Sequence, residues 1–150
     1  MKKMILYVMM MGIAIAINSC EKETLEPDNL AKIISFENGI GRTVCFTVSL
    51  DKTRYAVGET AKATVSVSDN YCDGPSFFNG RVTIAGKEYY IFREEVVQKC
   101  DGSPWILDVP IETTPGDYNA TFAITKFTYL SLEVFTITNT EKVQIPYEVR

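Results

Sequence analysis

The chain has 150 residues, 15 lysines and arginines against 19 aspartates and glutamates, no histidine, and a formal net charge of −4. The missing histidine removes Ser-His-Asp hydrolysis, Cys-His proteolysis and His-ligated zinc or iron; neither a Walker-type run nor a Gly-x-Gly-x-x-Gly fingerprint is present. An acidic chain without a basic cluster also fits poorly to nucleic acid or anionic lipid heads, both of which are bound through Lys and Arg.

In chain order, Lys2 and Lys3 precede an apolar run from Met4 to Ile17, followed by Ile17-Asn18-Ser19-Cys20. A cationic start, a short apolar stretch and a small-residue junction make a secretory signal. As a helix the run would be about 21 Å long, short of the roughly 30 Å hydrocarbon core of a bilayer. Residues 1–19 are therefore expected to be removed. That takes away two lysines and no acid, leaving a net charge of −6.

Ile17-Asn18-Ser19-Cys20 resembles the lipobox of bacterial lipoproteins, with Ile17 and Asn18 departing from its commonest residues. The resemblance implies that Cys20 becomes the mature N-terminus with its sulfur acylated, the thiolate being the nucleophile that takes up the lipid. Two or three acyl chains would make the anchor effectively permanent. The following Glu21-Lys22-Glu23 is similar to the charged start of small Bacteroidota lipoproteins, which implies an outer-membrane location, periplasmic or surface-facing. The same tripeptide also reads as an ordinary solvated linker. Residues 20–38 are taken as the lipidated cysteine and an acidic tether, and residues 39–150 as one domain. Within the tether, Leu30–Phe36 fits either a strand or a helical turn, and strand is preferred.

Beyond residue 42 the hydrophobic period is two. Val44, Phe46, Val48 and Leu50 alternate with polar or small neighbours, as do Ala61, Ala63, Val65 and Val67. The same holds for Val82 and Ile84, for Trp105, Leu107, Val109 and Ile111, for Tyr118, Ala120, Phe122 and Ile124, and for Val143, Ile145, Tyr147 and Val149. Such runs are half-buried strands whose inner faces share a core. Ala85-Gly86 reads as a tight hairpin turn, Asn79-Gly80 as the entry to that hairpin, and Thr114-Pro115-Gly116-Asp117 as a further turn. Pro146 inside the last strand points to an edge position. Seven to nine short strands at this spacing predict an all-β antiparallel sandwich.

Two phrases carry a family likeness: Asp51-Lys52-Thr53-Arg54-Tyr55-Ala56-Val57-Gly58-Glu59-Thr60, and Pro115-Gly116-Asp117-Tyr118. Both resemble stretches of bacterial immunoglobulin-like and macroglobulin-like sandwich domains. There Tyr-x-x-Gly-Glu turns the chain into the second strand, and Pro-Gly-Asp-Tyr starts a late core strand. The likeness implies an immunoglobulin-like fold and no particular activity.

Exported proteins fold where thiols oxidise. Cys72 and Cys100, each followed by Asp-Gly in a turn-rich segment, are expected to pair, closing a loop worth about 3–4 kcal/mol by chain entropy. Cys45 lies opposite Val44 and Phe46 in its strand and is expected to be free. Around the bridge gather Tyr71, Phe77, Phe78, Asn79 and Asp101 as candidate ligand contacts, since aromatic faces and polar rims suit a glycan. Against this, Phe77 and Phe78 read more readily as a plug for one end of the core. Asp69, Asp73 and Asp101 lack a calcium-loop spacing and read as surface turn carboxylates, so no metal and no cofactor is expected. Carboxylates are numerous enough for a two-acid glycosidase, but in a short strand-rich domain they read as surface charge, and no catalytic residue is assigned. The expected role is non-catalytic: a membrane-anchored binding or accessory module for an envelope glycan or protein. The alternative is an inhibitor or immunity-type lipoprotein that caps an exported hydrolase with the acidic 69–104 region.

Overall fold

The structure is a computed structural model, and it describes residues 30–37, 43–67, 76–93, 103–111, 114–131 and 134–150. Nine strands lie among them: β1 (Ala31–Glu37), β2 (Thr43–Leu50), β3 (Arg54–Tyr55), β4 (Thr60–Val67), β5 (Ser76–Ile84), β6 (Lys87–Phe92), β7 (Trp105–Pro110), β8 (Gly116–Ser131) and β9 (Val134–Val149). They form two sheets, sheet A in the order β1-β2-β4-β7 and sheet B in the order β3-β9-β8-β5-β6. Every pairing is antiparallel except the short parallel contact of β3 with β9. The chain is an all-β sandwich.

Alternation decides which face is buried. Phe46, Val48, Ala61, Ala63, Val65 and Val109 of sheet A meet Val82, Ala120, Phe122, Ile124 and Ile145 of sheet B, all with no exposed surface. Aromatic rings fill the end of this core where β5 begins: Phe78 packs on Phe46 and Phe36 at centroid distances of 4.9 and 5.3 Å, and Phe92 stacks on Trp105 at 4.3 Å. Lys126 is buried there too, and its amine donates to the Glu37 carbonyl, tying β8 to the end of β1.

β1 belongs to sheet A, paired along its whole length from Ala31↔Ser49 to Glu37↔Thr43. The strand reading of Leu30–Phe36 holds, and β1 is part of the sandwich rather than of a tether running to residue 38. Asn79-Gly80 is also not a hairpin entry. Both residues lie inside β5, opposite Thr125 and Ile124 of β8. Gly80 is required because a Cβ there would lie 2.2 Å from a ring carbon of Phe92, beside a bulge between Gly80 and Arg81. The hairpin turn itself is Ala85-Gly86, with φ of 50° and 77°, the paired positive values of a type I′ turn.

The strand ends define two poles. At one pole lie the start of β1, the ends of β2, β7 and β9, all of β3, the starts of β4 and β8, and the Ala85-Gly86 turn. The segments 38–42, 68–75, 94–102 and 132–133 all join strand ends at the opposite pole. Backbone direction places two prolines on outward edges. The Ile111 amide donates to Glu59, so Pro110, one residue away, has its nitrogen on the free side of β7. The Glu148 and Arg150 amides donate to the carbonyls of Thr53, just before β3, and of Tyr55 in it, so Pro146 has its nitrogen on that same side, below the reach of the two-residue β3. The edge expected from Pro146 is therefore present.

Candidate functional site

The pole that holds β3 is locked by side chains. Tyr55, 1 % exposed, donates its hydroxyl to Asp51 Oδ1 at 2.8 Å, and the same oxygen accepts the Lys62 amide at 2.7 Å. Burial, and then the bond to Asp51, push the Tyr55 phenol well above its ordinary value. Gly58 takes φ +81° in the turn, and Glu59 closes it by accepting the Ala56 amide at 2.9 Å and pairing with Lys52. Lys52, then the Ala56 amide, hold the Glu59 carboxyl below its usual range. Tyr-x-x-Gly-Glu is thus a turn device: aromatic anchor, left-handed glycine, carboxylate cap. Pro-Gly-Asp-Tyr does comparable work, because Tyr118 donates its hydroxyl back to the Thr114 carbonyl at 2.8 Å.

Between these two devices sheet B opens a cleft of about 360 Å³ lined by Thr53, Asp117, Tyr118, Asn119, Pro146, Tyr147 and Glu148. Two cross-strand pairs, Asp117↔Glu148 and Asn119↔Pro146, supply its rim from β8 and β9. Asp117, Asn119 and Pro146 are exposed. Beneath them Tyr118 and Tyr147 stack at 5.6 Å, and Tyr55 meets Tyr147 edge-on at 5.9 Å, so the floor is braced by a tyrosine tier.

Glu148 lies between two guanidinium groups. Arg54 Nε is 3.0 Å from one carboxylate oxygen, and Arg150 bonds the other. Arg150, with Arg54 adding to it, holds the Glu148 carboxyl below its usual range, and Asp117 adds further attraction for Arg150. Two acids and two arginines make the surroundings of the cleft formally neutral. The carboxylate, carboxamide and hydroxyl groups along the cleft can accept and donate hydrogen bonds to a ligand without selecting it by net charge.

Of the ligand contacts expected from sequence, Phe78 is corrected. It is 1 % exposed, packs among Phe36 and Phe46, and presents no face to a ligand. Strand alternation puts Phe77 and Asn79 on the outer face of sheet B, half-buried, opposite Phe127 and Thr125. Tyr71 and Asp101 lie outside the described residues, as do Asp69 and Asp73. Cys45 is corrected as well: it is disulfide-bonded, with a partner outside the described residues. Its outward position opposite Ser35 was read correctly, but a thiol on the outer face remains open to a partner from beyond the sheets. The expected Cys72–Cys100 bridge, Cys20 and the apolar run 4–17 also lie outside the described residues. Among the described residues no helix is long and apolar enough to cross a membrane. The cleft has no signal in any single stretch of sequence, because each rim pair joins residues about thirty positions apart. Pro146 inside a strand was the one local hint. No protein-family model, no curated protein and no solved structure matches this chain.

Proposed function

We propose that the chain is a lipoprotein held at the outer membrane through Cys20, and that its immunoglobulin-like sandwich is a non-catalytic binding or accessory module for an envelope glycan or protein. The cleft on sheet B carries this reading. A shallow, polar-rimmed surface built on paired strands suits recognition. The immunoglobulin-like assignment is supported by the switch of the chain from sheet A to sheet B across Asp51–Thr53 and by the parallel β3–β9 contact. The backward bond from Tyr118 at the corner before β8 adds to it, since such a tyrosine marks the corresponding corner in that architecture.

Leu30 accepts the Leu50 amide at the pole that holds the cleft. Only ten residues separate Cys20 from Leu30, so an anchor at Cys20 would keep this pole the nearer one to the lipid. The cleft then lies on the half of the domain nearest the lipid, so its partner is a component of the envelope layer itself. Replacing Cys20 by Ser in the full chain tests the anchor. The expected outcome is release into the soluble fraction with retention on envelope fragments. A variant that stays in the membrane through its uncleaved apolar run, or a released protein that retains no envelope glycan or protein, contradicts the reading. Among the described residues nothing favours the inhibitor alternative, and the segments 69–75 and 94–102 of its acidic region lie outside them.

A further inference from the structure

Resting on that reading, the cleft can be assigned a ligand class: we infer that it takes a neutral saccharide. Charge argues first. Glu148 is already satisfied by Arg54 and Arg150, with Asp117 as a further acid beside Arg150. A cation would meet two guanidinium groups and an anion two carboxylates, so neither gains from entering. A neutral ligand loses nothing by this balance.

Geometry argues next. The exposed ring of Pro146 stands directly across from Asn119, so one wall is apolar and its neighbour is a carboxamide. A pyranose ring has the matching division, with C–H bonds on its faces and hydroxyls around its rim. Asn119 offers both a donor and an acceptor, Asp117 accepts, and Thr53 does either. A sugar hydroxyl, itself donor and acceptor, can satisfy each of these. The cleft of about 360 Å³ lies at the small end of ligand sites, roughly 300–1,000 Å³, which suits a terminal unit rather than a long chain. Rigidity completes the case. The tyrosine tier and the ties from Tyr118 to Thr114 and from Tyr55 to Asp51 fix β3, β8 and β9 before any ligand arrives, which lowers the ordering cost of weak polar binding.

The test uses the full-length protein in a detergent without a sugar head group, titrated with maltose, cellobiose and chitobiose and followed by amide NMR shifts. At least one disaccharide should give saturable shifts centred on residues 117–119 and 146–148. Asn119→Ala should weaken binding about tenfold, the loss expected for removing a well-placed hydrogen bond. Thr53→Val provides a second variant should Asn119→Ala disturb the fold. Ser66→Ala, on the outer face of sheet A at the far end of β4, should leave the affinity unchanged. No shifts with any of the three sugars, or shifts untouched by both cleft variants in folded protein, overturn the assignment. Larger shifts at the same amides from a trilysine peptide overturn it too. Retention on envelope fragments is scored separately, so a chain that binds the envelope but no sugar fails here without failing the broader proposal.

Discussion

Sheets A and B share one core yet turn different surfaces outward. The outer face of sheet A carries Thr47, Ser49, Lys62, Thr64, Ser66 and Asp108, short or solvated groups on regular ladders, with Ile106 exposed at its β7 edge. Sheet B has the long β8–β9 pair, two bulges in that ladder, and an outer face that runs from the cleft to a strip where Ala123, Thr125 and Phe127 are buried. The difference teaches that the two sheets are under different constraints. Inner faces answer to packing and can be exchanged in volume-conserving ways, whereas the outer face of sheet B is part open cleft and part buried strip, so its residues answer to two kinds of surroundings. Sheet A is scaffold, and sheet B is scaffold with a surface.

Substitutions can break or sharpen this contrast. The largest effect belongs to what the sheets share. Phe46→Ala opens a void among Phe36, Phe78 and Phe92, and a loss of about 3–5 kcal/mol is expected. Both sheets should unfold in one transition in chemical denaturation; two separate transitions would show that the core is not common. Gly80→Ala is confined to sheet B. Its methyl group would overlap the Phe92 ring, so a cost of about 1–3 kcal/mol is expected in the same measurement.

The pH dependence comes next, at the pole where the sheets are tied. Tyr55 is held neutral, with its pKa raised above the ordinary 10.0 by burial and by its bond to Asp51. Its contribution is therefore complete below pH 10 and is lost as pH climbs toward the folded-state value. Urea midpoints should hold near about pH 8 and fall by about pH 11, and Tyr55→Phe should flatten that fall. A slope unchanged by the substitution would remove Tyr55 as its source. Ala85→Asn acts with the opposite sign. The left-handed first position of the turn suits Asn-Gly better than Ala-Gly, so a gain of about 0.5–1 kcal/mol in thermal or urea unfolding is expected. Smallest is Lys52→Ala. It removes an exposed pair with Glu59, so its effect on the urea midpoint should be the least of the set and should shrink further in salt.

Much of the fold was legible because a period of two is local. Each alternating set named from the sequence lies on an inner face, including Val44 to Leu50 and Ala120 to Ile124. What failed depended on distance. Asn79-Gly80 carries turn residues, but its glycine answers to Phe92, twelve positions on, and no turn rule contains that ring. Phe77 and Phe78 had to face opposite ways once they lay in a strand; only the pairing of β5 with β8 decided which one entered the core. Cys45 was placed on the correct face, yet a disulfide depends on where a second cysteine arrives in space. The cleft was invisible for the same reason, since Asp117 and Glu148 become neighbours only through the β8–β9 register.

The two prolines on outward edges have a consequence for crowding. A chain fixed to a plane meets its copies at high local density and with restricted orientations, the setting in which open sheet edges recruit one another. Pro110 on β7 and Pro146 on β9 each remove one amide from the row a neighbouring strand would need, and both lie toward the pole where β1 begins. A strand approaching either edge there meets a missing donor and a ring in its path. The same Pro146 whose exposed ring lines the cleft thus denies that edge to another copy.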